Sequence, residues 1–217
     1  GLERVPAGEV PAGDAVAEAP HRVDDVLAEL APQRRDVHLE GVTIRNAPVW
    51  NVRLHNCNRV WIRGIHLFSD LERGVNSDGI DIVSSSNVLI SDSIICTADD
   101  AICLKTFADR RGEGKVRPVE NVTVNNCILT SSSTSMMIGT ETHADIRHVL
   151  FSNIIVRDSN KVFGINVQDG AEVSDVRFNN VTFETNRRHW NWWGSAEMCK
   201  FVLKKRTPDS RLGAIRN

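Results

Sequence analysis

The feature that constrains this chain most is a repeated pair of short, alternating apolar runs. Six segments share it: VHLEGVTI, VWIRGIHL, VLISDSII, VTVNNCIL, VLFSNIIV and VRFNNVTF, which begin at Val37, Val60, Val88, Val122, Val149 and Val176. Successive segments begin 23, 28, 34, 27 and 27 residues apart, and a further short run precedes most of them. Self-similarity at such a period is typical of a solenoid.

The runs alternate with period two and are rich in β-branched residues, so they predict strands and not helices. Strands of successive coils would stack in parallel at a spacing of roughly 4.8 Å, with inward side chains forming apolar ladders. The sequence therefore predicts an all-β fold, a single-stranded parallel β-helix. An antiparallel sandwich fits less well, because Asn-Gly and Asp-Gly hairpin signals do not recur between the runs.

The first 36 residues differ in composition from the rest, being rich in Ala, Glu, Pro and Gly. Apolar residues at helical spacing predict a short amphipathic helix near 22–31, within a loose or partly helical segment over 1–36. Residues 37–217 are predicted to form the β-helix. Because the final LGAIRN reads as the opening of another repeat, we expect this domain to be truncated at both ends.

Composition excludes several functional classes. The formal net charge of −2 gives no broad basic face for nucleic acid, and no apolar run has the length of a membrane span. The five cysteines are odd in number and lack metal-binding spacing, so neither a disulfide scaffold nor a zinc site is predicted. We expect a monomer without a nucleic-acid or membrane partner.

Two acidic sites stand directly before apolar runs, in GVNSDGIDIV and in CTADDAICLK. Aligning the runs sets Ile80 opposite Ile102 and Asp78 opposite Asp100 in adjacent coils, with Asp99 as a third acid. Three close carboxylates cannot ionise independently, so one should keep its proton near neutral pH. A protonated acid beside an ionised base is what glycoside hydrolysis requires. The alternative is that these acids are corner residues that cap backbone N–H groups.

These motifs resemble the polygalacturonase family of glycoside hydrolases, family 28. NSDGID followed by ADDAICLK is similar to the family's Asn-Thr-Asp and Asp-Asp motifs, APVWNVRLHNCNRVWIRGI to their lead-in, and MMIGTE to its Ile-Gly-Ser-Glu segment. The resemblance covers roughly residues 37–183. It implies that residues 37–217 are a right-handed β-helix catalytic domain that acts on a polysaccharide. A hydrolase of this kind needs no metal or organic cofactor. It also implies a secreted or periplasmic location, although this chain's first residues lack signal-peptide blocks.

The resemblance also implies roles for individual residues. Asp99 would be the general acid, and Asp78 and Asp100 would hold and deprotonate the attacking water, giving inversion at the anomeric carbon. Asn76 would orient the first acid or contact the substrate.

Two departures from the family pattern bear on the substrate. Ser133 stands where the family has a histidine, and Gly164-Ile165-Asn166 where it has Arg-Ile-Lys. Losing such charge-assisted contacts weakens carboxylate binding by about 1.5–3 kcal/mol. The departures therefore disfavour plain homogalacturonan and favour a mixed pectic chain or another glycan, contacted by Ser133 and Asn166.

Three further features have two interpretations each. Lys105 either contributes to an anionic subsite or belongs to a solvated charged loop. Glu141 either faces the groove or supports a corner. The segment RRHWNWWGSAE, from Arg187 to Glu197, either offers tryptophan faces on which sugars stack or plugs the solenoid.

Two other functions stay open. A carbohydrate-binding or adhesin solenoid could carry a decayed site, although a decayed site has no reason to keep three repelling carboxylates. A polysaccharide lyase on the same architecture would use Ca²⁺ and a basic residue, and we expect no Arg or Lys among the acidic rungs.

Overall fold

A computed structural model describes residues 35–108, 115–187 and 193–216. Within these residues the chain forms sixteen strands and no helix. They are β1 (Arg35–Glu40), β2 (Thr43–Arg45), β3 (Val52–His55), β4 (Asn58–Arg63), β5 (His66–Phe68), β6 (Ile80–Val83), β7 (Ser86–Ser91), β8 (Ile94–Thr97), β9 (Ile102–Thr106), β10 (Val119–Ser131), β11 (Thr134–Thr142), β12 (Ile146–Ser159), β13 (Lys161–Val167), β14 (Glu172–Thr185), β15 (Glu197–Leu203) and β16 (Ala214–Ile215).

All strand pairs are parallel and join one coil of the chain to the next. A ten-stranded sheet has the order β1-β4-β7-β10-β12-β14-β16, with β2, β5 and β8 beside it. A six-stranded sheet has the order β3-β6-β9-β11-β13-β15. The predicted all-β parallel β-helix is confirmed.

The predicted register of the repeat is confirmed as well. Val88 pairs with Val60 on one side and with Val122 on the other, and Val149 follows Val122 in the same column. These valines point inward and are almost fully buried, as the alternation of the runs requires. In the six-stranded sheet Ile80 pairs with Ile102, which is the alignment that places the acidic motifs in adjacent coils.

The residue between the two runs of each repeat, a glycine, asparagine or aspartate, makes a corner of the coil. Gly64, Asp92, Asn126 and Asn153 occupy this position with φ between 54° and 60°. Glycine, asparagine and aspartate tolerate this left-handed conformation best, so their recurrence in the sequence marks the bends. Side chains at the corners also bond across coils, since Asn126 Nδ2 donates to Asp92 Oδ1 at 2.7 Å.

The core is a continuous stack of aliphatic residues enclosed by the two sheets. Its largest fully buried side chains include Phe151, Leu54, Ile62 and Leu104. Because every coil contributes to the same stack, the polar ends of the strands are left to build surface sites.

Parts of the sequence-based interpretation fall outside the described residues. The segment 1–34 is among them, and with it the predicted helix near 22–31. The first strand begins at Arg35, two residues before the predicted boundary of the domain. Among the residues described, no helix has the length and apolarity needed to cross a bilayer.

Candidate active site

A cleft of about 500 Å³ runs across the six-stranded sheet, from the turns before β6 and β9 to the last residues of β11 and β13. All eight residues predicted for the site lie along it: Asn76, Asp78, Asp99, Asp100, Lys105, Ser133, Glu141 and Asn166. The three acids belong to two adjacent coils, in the turns before β6 and β9. The bend at this corner lets the neighbouring residues Asp99 and Asp100 face the same space, which a straight strand would prevent.

Asp78 and Asp100 form the close pair of the cluster. A carboxylate oxygen of each lies within 4.8 Å of one from the other. Asp100 Oδ1 accepts from Ser133 Oγ at 2.9 Å and from the backbone N–H of Thr134 at 3.0 Å. Asp78 Oδ2 accepts from Lys105 Nζ at 2.9 Å, whereas its Oδ1 is buried without a partner in the described residues. Two fixed carboxylates with an unused oxygen can hold a polar molecule such as water.

Asp99 differs from this pair in its surroundings. In the part of the chain that the structure describes, its carboxylate receives one hydrogen bond, from the backbone N–H of Asp100 at 2.9 Å. Its backbone oxygen accepts from Thr97 Oγ1 at 2.6 Å and from Ser131 Oγ at 2.7 Å, which fixes the turn. Asp99 therefore has a rigid backbone and a carboxyl group that lines the cleft without a cation bonded to it.

Burial and repulsion separate the protonation states of the acids. Burial raises the pKa of Asp99 to about 8, and the charges of Asp100 and Asp78 add to this effect. Burial also raises the pKa of Asp78, to about 6, because the contact with Lys105 offsets part of the cost. Between these values Asp99 keeps its proton while Asp78 is ionised. Burial therefore favours Asp99 as the acid that keeps its proton, and its role as the general acid stays a prediction.

Backbone contacts between coils keep the acids in place. Asn51 Nδ2 donates to the backbone oxygen of Asp78 at 2.9 Å and to Ser69 Oγ at 3.0 Å. The N–H of Gly79 donates to the backbone oxygen of Asp100 at 2.8 Å. A Cβ atom at Gly79 would lie 2.3 Å from the carbonyl oxygen of Ala101, so a side chain there would push the two coils apart.

The other predicted residues lie around the acids in different ways. Ser133 donates directly to Asp100. Asn76 is exposed at the rim with φ of 60°. Asn166 Oδ1 accepts from Gln168 at 2.9 Å, and Glu141 Oε1 accepts from Thr140 Oγ1 at 3.1 Å. Their roles toward a substrate stay predictions.

Lys105 lies closer to the acids than the sequence suggested. Its Nζ bonds both Asp78 and Asp81, and its side chain is 7% exposed. The expectation that no basic residue stands among the acidic rungs is therefore wrong. The reason is that Lys105 points outward from β9, three residues after the inward Ile102, and reaches back over the sheet to the preceding coil.

Two lysines along the cleft were missed from the sequence. Lys161 pairs with Thr134 in the strand register, and its Nζ lies 2.9 Å from the backbone oxygen of Trp193 and 3.4 Å from Thr134 Oγ1. Lys200 lies one coil further on. The recurrence of cleft residues at one register position was the signal that could have identified Lys161. Trp193 also lines the cleft, while Trp190 and Trp192 lie outside the described residues.

Cys103 and two of the acids lie close enough together to share a metal ion, but the protonation of the cysteine argues against a metal site. A ligand atom of Cys103 lies within 4.8 Å of one from Asp78 and one from Asp100. Burial raises the pKa of the Cys103 thiol well above its usual range, and Sγ donates to the backbone oxygen of Gly139 at 3.1 Å. A metal ligand must be a thiolate, so this set does not fit a metal ion.

The motifs and the coil architecture agree with a known family. The model of glycosyl hydrolases family 28 matches residues 24–186, more than half of the chain. The chain belongs to glycosyl hydrolases family 28. It is 31% identical over 111 residues to a probable polygalacturonase of Arabidopsis thaliana and 26% identical over 125 residues to one of Vitis vinifera. These matches cover 42% and 57% of the chain.

The chain is also similar to proteins of known structure. The chain is similar to an exopolygalacturonase from Thermotoga maritima, with a TM-score of 0.61 and 27% identity, over 78% of this chain and 39% of that one. The curated matches cover 24% and 25% of the plant proteins, so this chain spans about a quarter of their length.

Proposed function

We propose that this family 28 chain carries the catalytic site of a hydrolase that cleaves glycosidic bonds in a pectic or related acidic polysaccharide with inversion. The observation that carries the proposal is the meeting of Asp78, Asp99 and Asp100 in one open cleft. Asp99 protonates the leaving oxygen, because it holds a proton near neutral pH. Asp78 and Asp100 hold the attacking water and remove its proton.

The proposal is tested by following bond cleavage directly. With a panel of pectins and neutral α-glucans, we expect reducing ends to appear on acidic glycans, and ¹H NMR to show the inverted anomer as the first product. Glycan binding without release of reducing ends would favour the adhesin alternative instead. An unsaturated, ultraviolet-absorbing product that depends on Ca²⁺ would favour a lyase.

The acidic nature of the substrate rests on Lys161. The residue as a whole is 5% exposed, and in the described residues no carboxylate lies within ion-pair distance of its ammonium. Burial lowers its pKa, which means that the charged form lacks full compensation. A uronate carboxylate in the cleft would supply the missing partner. Lys161 would thereby take over the contact that Gly164 and Asn166 cannot make.

Replacing Lys161 with methionine should therefore lower kcat/KM on de-esterified pectin by about tenfold to a hundredfold, through KM, because a charged hydrogen bond is worth about 1.5–3 kcal/mol. Activity on fully methyl-esterified pectin should change little, since the ester carries no charge. Steady-state kinetics on both substrates gives the comparison. Lys200→Met is the comparison variant. Lys200 lies along the same cleft, but it is half exposed and already lies 3.8 Å from Glu197, so its loss should lower kcat/KM less than the loss of Lys161. An equal loss on both pectins would refute the carboxylate contact.

A further inference from the structure

The Lys105 ammonium lies between two carboxylates beneath the cleft. Nζ donates to Asp78 Oδ2 at 2.9 Å and to Asp81 Oδ1 at 2.8 Å, and it lies 4.1 Å from the centre of the Trp50 ring. The side chains of Lys105, Asp78 and Asp81 are 7%, 4% and 0% exposed. Since water is largely excluded, these charges interact more strongly than exposed ones would.

Asp81 cannot contact a sugar. Its side chain has no exposed surface, and it sits opposite Cys103 in the register of β6 and β9. Its hydrogen bond toward the cleft goes to Lys105, whose ammonium it shares with Asp78. Burial raises the pKa of Asp81 well above its usual range, and the contact with Lys105 opposes this effect. Removing either partner of such a buried pair leaves an uncompensated charge, so the three groups depend on one another.

Lys105 is also poorly placed to bind the substrate itself. An ammonium has three donors, and two of them are used by Asp78 and Asp81. The Trp50 ring covers the ammonium as a cation–π partner. Although Lys105 lines the cleft, its ammonium is bonded to the catalytic carboxylate.

We propose that Lys105, held in place by Asp81, is a positioning residue for the Asp78 carboxylate. It fixes the orientation of that carboxylate and balances its negative charge, so that Asp78 stays ionised and can accept a proton from the attacking water. The inference rests on the function proposed above, because it assigns Lys105 and Asp81 to the base side of that reaction.

Several charged or titratable groups surround Asp78. They are Lys105 and Cys103 on β9, Asp81 on β6, and Asp99 and Asp100 in the turn before β9. On β3, Arg53 lies opposite Asp81 in the strand register, and its guanidinium lies 3.1 Å from His55 Nδ1. Burial and the charge of Asp100 raise the pKa of Asp78, and Lys105 lowers it. Loss of the lysine should therefore raise the pH below which Asp78 is protonated.

The test uses the double variant Asp81→Asn/Lys105→Met. Lys105→Met alone would leave two buried carboxyl groups, Asp78 and Asp81, without their cation, whereas the double variant leaves only Asp78 without it. The acidic limb of kcat/KM should move up by about one to two pH units, the usual effect of one adjacent opposite charge. Measured at pH 5, kcat/KM should fall about tenfold to a hundredfold. Asp81→Asn alone is the control, and its acidic limb should not move up, because Lys105 then serves Asp78 alone.

Two results would overturn the inference. One is a double variant with the wild-type acidic limb. The other is a loss confined to KM, which would make Lys105 a direct substrate contact. The ¹³C NMR titration of the Asp78 carboxyl carbon, assigned with Asp78→Asn, separates this inference from the proposed function because it needs no turnover. A raised midpoint in the double variant supports the role of Lys105 even if no glycan is cleaved, and an unchanged midpoint refutes it even if the wild type is active.

Discussion

Replacing Asp99 with asparagine should lower kcat on the true substrate by about a hundredfold to ten thousandfold, the usual contribution of a general acid. Asparagine keeps the shape of the side chain and can still accept the hydrogen bond from the N–H of Asp100. It has no proton to give to the leaving oxygen. Because only the transition state needs that proton, KM should change far less than kcat. Reducing-end release under saturating substrate measures the loss.

The same variant should change the pH profile. In the wild type, activity should fall above about pH 8, where Asp99 loses its proton, and below about pH 6, where Asp78 gains one. The residual activity of Asp99→Asn should lack the alkaline limb, since the group that titrates there is gone. Its acidic limb should remain, because Asp78 is still present.

Asp92→Asn provides the matched control for this experiment. Asp92 is a corner residue on the other sheet, and its side chain is 41% exposed. Asparagine suits its φ of 55°, as it does at Asn126 on the next coil. This variant should keep full activity, and near-normal turnover by Asp99→Asn would refute the assignment of the acid.

Much of the fold was predictable because the same pattern of apolar and turn-forming residues recurs in the sequence with each coil of the solenoid. The aligned valines predicted the register of the strands. The glycine, asparagine or aspartate between the runs predicted the corners, as Gly64 and Asp92 illustrate. The pattern did not predict whether the two runs of a repeat form one continuous strand or two separate strands. VLISDSII forms the separate strands β7 and β8, whereas VTVNNCIL lies within the single strand β10, because the backbone pairing continues through that corner.

The site residues whose positions follow from the strand register could be predicted from the sequence. Those whose contacts depend on the conformation of a long side chain could not. Asp78 and Asp100 share a column, so alignment of two runs was enough. Asp81 reads as an ordinary outward residue of IDIV, and its burial comes from the packing of Lys105 beneath Trp50, which lies in another coil. Lys161 lies in the same register column as Asp100 but two coils further along, and its side chain reaches back toward Thr134 on the coil between them. Such long polar side chains have several rotamers, and sequence patterns do not specify which one packing selects.

Replacing Phe151 with alanine should lower the free energy of unfolding by about 3–5 kcal/mol, the largest stability effect expected for a single core residue of this chain. Phe151 is fully buried on β12, between Val124 and Phe178 in the strand register. Its ring stacks on that of Phe178 with centroids 5.3 Å apart and planes 5° apart.

The loss should lie at the upper end of that range because the coils cannot close the gap. Their spacing is set by the backbone hydrogen bonds of β10, β12 and β14, so a cavity left by the missing ring persists. Chemical denaturation followed by circular dichroism gives the shift in midpoint. Ile155→Ala on the same strand is the control, since Ile155 is 45% exposed and its loss should cost less than about 1 kcal/mol. The cleft lies on the other sheet, so Phe151→Ala should keep its kcat below its melting temperature. Equal, small losses for both variants would mean that the apolar stack does not determine the stability of the coils on which the three acids depend.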